Sequence, residues 1–534
     1  MKIDRDSLLS ALPILLIIIL AASLRLTYFV QIQSNPLPEY MAVREAFDQY
    51  RFIEPVKEFL KGNWLGKPDI WCSPIYSYII AALYTIFPQN INTIFLFQII
   101  LGILAVYVIY LAGNLLFGNK AISLIAAFAL SIYSPAIYYE CTVLRTPLIT
   151  YMNLFGFFFL LKALKEDKAR YILFGALALG LSYAIRTDLI ALLLLVYIPF
   201  AVKGTLKKKM SYAGIFVLGF LISLSPLILR TALLEKKSLV ESEGISTFWF
   251  GNTYDASGLD CAPRRPHSEL VKESQGSIVK TVSIFLREIR QHPIEYHSLY
   301  LRKVRMFLNG YEIPANMSYD MFRVSHSALK AAFLGFSILA PFTILGLLSA
   351  IKLKDMGLLY IFLLALSAPV ILFHIMSRYR MPAIPFFIIF AAYFLYRLIR
   401  MAREKKIASV SLAVISLAVI FLYTKPDEAL IKRYFGSPIR CIDYGNMANA
   451  YISKAGGIHL SKEERDRFAR AATIYIDKAI ELAQTQYYFI CESLLLGAVR
   501  YELGEYDEAK RAFDSVLKVE PKNEVARHYI GLMK

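Results

Sequence analysis

The sequence predicts an all-α polytopic membrane protein that carries a small helical domain after its last span. Three observations predict it. Residues 1–425 are filled by apolar runs, several of them close to the roughly 20 residues that a helix needs to cross hydrocarbon. The 534 residues are 57% hydrophobic and 19% charged, where a soluble protein has about a quarter charged, and mean hydropathy is +0.49. Residues 426–534 then return to ordinary soluble composition. This pattern excludes a soluble enzyme, a disordered tail protein and a disulfide scaffold. Strict apolar–polar alternation is missing, which excludes an outer-membrane barrel.

Eleven spans follow from the runs: 8–30, 91–114, 120–137, 147–164, 171–185, 189–202, 211–229, 328–351, 357–376, 381–398 and 407–424. The first is too long for a signal-peptide core and contains Arg25, so it is expected to stay as a signal anchor. With Lys2 and Arg5 in the cytoplasm, Lys120, the 162–170 and 203–209 clusters, Lys352 with Lys354, and the 397–406 cluster all fall inside, as the positive-inside rule requires. The run 75–87 is only 13 residues before Pro88. Counting it as a span would turn the strongest basic clusters outward, so it is expected to lie at the outer face. The layout describes a multi-pass protein of the plasma or inner membrane. Loops 31–90 and 230–327, the domain 426–534, and the turns 138–146, 186–188 and 377–380 are then extracytoplasmic.

The net charge of +18 is not a nucleic-acid signal, because the cations sit in short loops between spans, where orientation signals belong. Cys72, Cys141, Cys261, Cys441 and Cys491 form no C-x-x-C pair, and His267, His292, His297 and His374 show no ligand spacing. In the C-terminal domain, Leu496-Gly497, Gly504, Tyr506, Ala509, Phe513 and Pro521 are spaced like one tetratricopeptide (TPR) repeat. A single repeat cannot bury its own face, so two or three stacked pairs are expected, with Ala479–Leu482 in the preceding one. Such a domain either docks a protein partner or only caps the fold.

Acids at the outer ends of spans are expensive and are the first candidates for chemistry. Apolar residues at 47, 52, 53, 56, 59 and 60 make 47–60 an amphipathic helix along the surface. Asp48 stands at its start, where free N–H groups favour a carboxylate; Glu45 lies just before it. On spacing alone, both read first as solvated or capping groups.

Asp48-x-Tyr50 soon after the first span, then Gly62, then Pro74-x-Tyr76-x-Tyr78, resembles the GT-C superfamily of polyprenyl-phosphate-dependent glycosyltransferases. The nearest likeness is to the protein O-mannosyltransferase and aminoarabinose-transferase branch, glycosyltransferase family 39. Further stretches in family order are Gly180–Thr187, Gly251-Asn252 with Ala256 and Gly258, Glu312-Ile313-Pro314-Ala315-Asn316, and Ser377-Arg378-Tyr379-Arg380-Met381-Pro382. They span the expected transferase domain, 1–425. Many relatives carry two adjacent acids in the first loop; here position 49 is Gln49.

The resemblance implies a GT-C fold and an inverting transfer of a sugar from a polyprenyl-phosphate donor to a protein, lipid or glycan acceptor at the outer face. Asp48 matches the family's first-loop acid and is the expected base for the acceptor hydroxyl, with Glu45 a weaker alternative. Arg378 and Arg380, at an outer helix mouth, are the expected phosphate ligands, with Arg186 and Lys67 secondary; lipid-headgroup snorkelling is the competing reading. Glu140 and Glu312 are secondary acids facing the same side. Three carboxylates can hold a divalent cation, but the branch does not generally require one, so no essential cofactor is expected. Two other readings stand beside this one. An O-antigen-type ligase or polymerase lacks the early Asp-x-Tyr element, and a transporter or lipid flippase ordinarily shows broken helix pairs at mid-membrane.

Overall fold

The computed structural model describes residues 5–67, 73–187, 190–234, 243–259, 267–457 and 459–533. Lys2, Cys72 and Cys261, and parts of the predicted loop 230–327 and turn 186–188, lie outside them. Among the described residues, helices and connecting turns account for the chain, and pairing of the β type is confined to two isolated bridges. The protein is an all-α membrane protein. Among the described residues, six helical stretches are long and apolar enough to cross a bilayer: Ala11–Ile32, Ile91–Phe117, Thr146–Glu166, Leu206–Leu233, Ser377–Arg403 and Ile407–Phe435. Five predicted spans correspond instead to shorter apolar helices, Lys120–Ser131, Ala169–Ile185, Ile190–Ala201, Phe336–Ala350 and Gly357–Leu372.

The helices end where local chemistry ends them. Asn90 accepts from Thr93 N–H at the start of Ile91–Phe117, and Gly118 closes that helix at φ 58°, a left-handed conformation that glycine adopts at little cost. Asn119 then caps Lys120–Ser131. The run Ile75–Tyr84 has 10 residues, a rise of about 15 Å, too little to cross.

Two predicted spans, 120–137 and 328–351, are broken. Pro135 has no N–H and its ring clashes with a helical carbonyl one turn back, so the helix stops at Ser131 and restarts as Ser134–Glu140. The second gap, between Ser327–Ala331 and Phe336–Ala350, holds Gly335 in extended conformation. The gaps pair with each other: Ser134 N–H donates to Leu334 O at 3.0 Å, Leu334 N–H to Ile132 O at 3.3 Å, and the Ser134 hydroxyl to Leu329 O at 2.8 Å. Irregular backbone at membrane depth survives only when protein satisfies it in this way.

The chain divides into two compact units. The first comprises Met1–Phe29, Arg51–Ala315 and Ser327–Pro426. Its centre is a fully buried ion pair, Arg25 Nε to Glu140 Oε2 at 2.8 Å, completed by the Tyr151 hydroxyl. A Cβ on Gly102 would collide with that carboxylate. Arg25 also donates to Ser131 O at 3.3 Å, the last carbonyl before the break. Gln98 holds Glu140 O and Thr142 O at 3.0 and 2.8 Å. Glu140 is thus sealed from solvent and engaged with Arg25 and Tyr151.

The second unit comprises Val30–Tyr50, Asn316–His326 and Asp427–Lys534. Its helices Cys441–Ala455, Lys462–Glu481, Gln486–Glu502, Tyr506–Val519 and Glu524–Leu532 pack each on the next. Gly497 faces the Phe513 ring so closely that a Cβ would stand 2.6 Å from it, and Ala509, Phe513, Val516 and Ala526 form the core of the last pairs. Glu492 is buried against Gly445, and burial raises its carboxyl to about 7.

A raised acid favours the protonated fold, so this contribution falls away as pH climbs from about 4.5 through 7. Glu492→Gln is expected to raise the unfolding midpoint of the detergent-solubilised protein at pH 8, by about 2 kcal/mol of stability after screening, and to change it little at pH 5. An equal shift at both pH values would show that Glu492 is not the titrating group.

Candidate functional site

The Ser377–Arg380 turn sits between the helix Gly357–Leu372 and the long helix Ile384–Arg403. Three segments of the same unit hold it. Ile375 N–H donates to Gly258 O at 2.9 Å and Ser377 N–H to Ile313 O at 3.2 Å. Arg380 donates to Phe307 O at 2.7 Å and Asn309 O at 2.9 Å, and pairs with Glu312 at 3.1 Å. Its guanidinium stands 3.5 Å from the Phe336 ring centre, and Met306, Phe307, Ile313, Ile375, Met376 and Ser377 close around it. Arg380 and Glu312, both expected at a ligand, are thus buried and engaged with each other.

Arg378 is different. It is half-buried, and its guanidinium donates to the Tyr379 hydroxyl at 3.1 Å and lies 4.9 Å from the ring centre. Arg186, from the end of Ala169–Ile185, lies 5.2 Å from the same ring. Two of the four expected phosphate ligands therefore gather on one tyrosine, held by the attraction between a cation and a π face. Tyr139 lies within electrostatic reach of Glu312, Arg378 and Arg380. Lys67 is exposed at a loop, and its carbonyl accepts from Arg230 at 2.8 Å.

The Gly251-Asn252 stretch acts as a hub. Asn252 Nδ2 donates to Phe248 O and Leu372 O, each at 2.8 Å. Its Oδ1 accepts from Tyr300 at 2.7 Å and from Lys303 Nζ at 2.8 Å. Lys303 also donates to Phe373 O at 2.7 Å and Leu372 O at 3.3 Å. Gly251 faces the Phe373 carbonyl, where a Cβ has no room. Burial and the neighbouring Arg302 push the Lys303 ammonium down to about 7. Sequence reasoning missed Lys303, since a lysine on a charged loop helix reads as solvated; the sole signal is its place one turn from Leu299 on the buried stripe.

Asp48 and Glu45 belong to the other unit. Asp48 is the first residue of the helix Asp48–Leu60 and is half-buried; Glu45 is exposed in the preceding turn. Gln49 is buried and accepts from Asn316 Nδ2 at 2.8 Å. Among the described residues, no group of three His, Cys, Asp or Glu side chains is arranged to hold a metal ion.

Residues 67–229 match the family model described as dolichyl-phosphate-mannose-protein mannosyltransferase. No curated protein matches the chain. Among solved structures, the chain is similar at 13% identity to the archaeal oligosaccharyltransferase AglB from Archaeoglobus fulgidus in complex with an inhibitory peptide and a dolichol-phosphate, with a TM-score of 0.41 over 88% of this chain and 60% of that one. A crystal structure of the Archaeoglobus fulgidus oligosaccharyltransferase complexed with Zn and sulfate matches at 13% identity and a TM-score of 0.39, over 85% of this chain and 56% of that one. The chain spans less than two thirds of the length of both structures. The family match lies within the first unit, over the apolar helices from Ile75–Tyr84 to Leu206–Leu233.

Arg380→Ala leaves the Glu312 carboxylate and two carbonyls buried without their donor, a loss of about 3–5 kcal/mol. A large drop in the thermal unfolding midpoint is expected, only partly recovered by Arg380→Lys, while the half-exposed Arg378→Ala shifts it much less. Equal midpoints for the two alanine variants would contradict this division.

Proposed function

We propose that the protein is an inverting glycosyltransferase that moves a sugar from a polyprenyl-phosphate donor to a protein, lipid or glycan acceptor at the extracytoplasmic face. The observation that carries this reading is the ordered set of family-like motifs, together with the mannosyltransferase match over 67–229. The broken helix pair at 132–135 and 332–335 resembles transporter irregularity, but its polar groups bond to each other, which favours a structural role.

In this reading Asp48 takes the proton of the acceptor hydroxyl as its oxygen attacks the anomeric carbon. The bond to the phosphate oxygen breaks with its electron pair, and polyprenyl phosphate leaves as an anion. Arg378 and Arg186 are assigned to that anion, because guanidinium forks bind phosphate bidentately and stay charged. Arg380 and Glu312 are assigned to holding the turn that presents Arg378, and Lys67 is a secondary contact. The leaving group needs no protonation, and no metal is assigned a role. The stacked C-terminal helices are assigned to the outer face as a TPR-like docking surface for a protein partner.

Asp48→Asn preserves volume while removing the base. With radiolabelled polyprenyl-phosphate mannose, glucose and galactose as donors and reconstituted protein, turnover is expected to fall roughly 10²–10⁴-fold. Glu45→Gln is expected to lose far less. Full activity in Asp48→Asn beside an inactive Glu45→Gln would move the catalytic role to Glu45, and absence of transfer from any donor by the unaltered protein would overturn the reading.

Orientation has its own check. A reporter inserted within 203–209 is expected to read cytoplasmic, and one inserted between the helices Lys462–Glu481 and Gln486–Glu502 extracytoplasmic. The same side for both would refute the proposed topology.

A further inference from the structure

Within the second unit, the start of the helix Cys441–Ala455 is tied by hydrogen bonds to Gln49, the residue that follows the first-loop acid. Asp443 is fully buried. Its Oδ2 accepts from Arg440 N–H at 2.8 Å and Arg440 Nε at 3.0 Å. Its Oδ1 accepts from Arg440 Nη2 at 2.7 Å and Ser318 N–H at 3.1 Å. Four donors on one buried carboxylate leave it a single orientation, and low local dielectric strengthens each bond.

The segment 316–318 is held by this cap on three sides. Besides the Ser318 N–H, its hydroxyl donates to Pro438 O at 2.8 Å, and Arg440 Nη2 donates to Asn316 O at 3.3 Å. Asn316 Nδ2 then donates to Gln49 Oε1 at 2.8 Å. Gln49 in turn reaches Met41 Sδ at 3.7 Å, on a short helix, Leu37–Val43, that packs against Cys441–Ala455. Gln49 is the neighbour of Asp48 in the first turn of Asp48–Leu60, so fixing its side chain fixes the helix start on which Asp48 stands.

We propose that Asp443, Arg440, Asn316 and Gln49 are positioning residues for Asp48, so that the C-terminal unit aligns the base as well as offering a docking surface. The proposal rests on the glycosyltransferase reading and on Asp48 as its base. It gives Gln49 a purpose where relatives carry a second acid: a neutral amide accepts from Asn316 and donates elsewhere, which a carboxylate cannot do. A group acting by position changes how often the reacting atoms align, and a displacement of about 1 Å costs up to 100-fold.

The test uses full-length protein in lipid nanodiscs with the same three donors, and reads amide hydrogen exchange at 44–52 alongside kinetics. Asn316→Ala and Gln49→Ala are expected to speed exchange at 44–52. They are expected to lower kcat about 10–100-fold, with the KM for donor within about twofold of the unaltered protein and an unshifted pH–rate profile. Asp443→Asn is expected to act in the same direction. The double variant Gln49→Asn with Asn316→Gln keeps the summed length of the amide bridge and is expected to recover most of kcat, which restored packing alone would not do. Unchanged exchange in Asn316→Ala overturns the connection. Faster exchange with unchanged kcat, while Asp48→Asn is inactive, overturns the positioning role and leaves the function reading standing. Absence of transfer by the unaltered protein overturns both.

Discussion

A backbone carbonyl freed from its helix and shut away from solvent needs another donor, and in this protein a long basic side chain repeatedly supplies it. Arg25 covers Ser131 O where Lys120–Ser131 stops. Arg145 donates to Ile185 O at the end of Ala169–Ile185. Lys303 covers Leu372 O and Phe373 O beyond Gly357–Leu372, and Arg380 covers Phe307 O and Asn309 O. Outside the helices, Arg230 donates to Leu65 O and Lys67 O, and Arg302 to Ala256 O and Ser257 O. A guanidinium presents several donors in a rigid fork and stays charged, which suits it to pairs of carbonyls. The irregular stretches near the candidate site exist because these side chains reach them.

This constraint divides the basic residues by employment. Those at 203–209 and 397–406 are mostly exposed, as charged groups in short loops between apolar helices can be. The buried ones complete backbone. Arg378 and Arg186 belong to a third group, half-buried around an aromatic ring. The neighbouring cations Lys303 and Arg380 are engaged by backbone carbonyls and, for Arg380, by Glu312.

Much of the architecture was legible in the sequence. Apolar run length located the long helices, and Asn90, Gly118 and Asn119 mark a tight connection between two of them. Pro135 was a readable break, yet the run 120–137 is mostly apolar and hydropathy overrode it. Gly335 carried a weaker signal of the same kind. Spacing at Gly497, Ala509 and Phe513 announced a close helix pair because contacts within a repeat are local. The charge pairs were not legible. Arg25 finds Glu140, and Arg380 finds Glu312, across sequence distances that no local pattern encodes. For that reason Arg380 and Arg378 looked alike two residues apart, though one faces a buried carboxylate and the other a tyrosine. Gln49 looked like a departure from a motif until its bond to Asn316 was seen.

The stretch 372–377 receives bonds from three separate loop segments: Asn252 with Gly258, Lys303, and Ile313. Mechanically it is a knot where several cords meet. A cord cannot be drawn away without pulling the knot, and the knot is continuous with the turn that carries Arg378 and Arg380. Any tilt of the helices that carry these partners is therefore felt at the guanidiniums in the same motion.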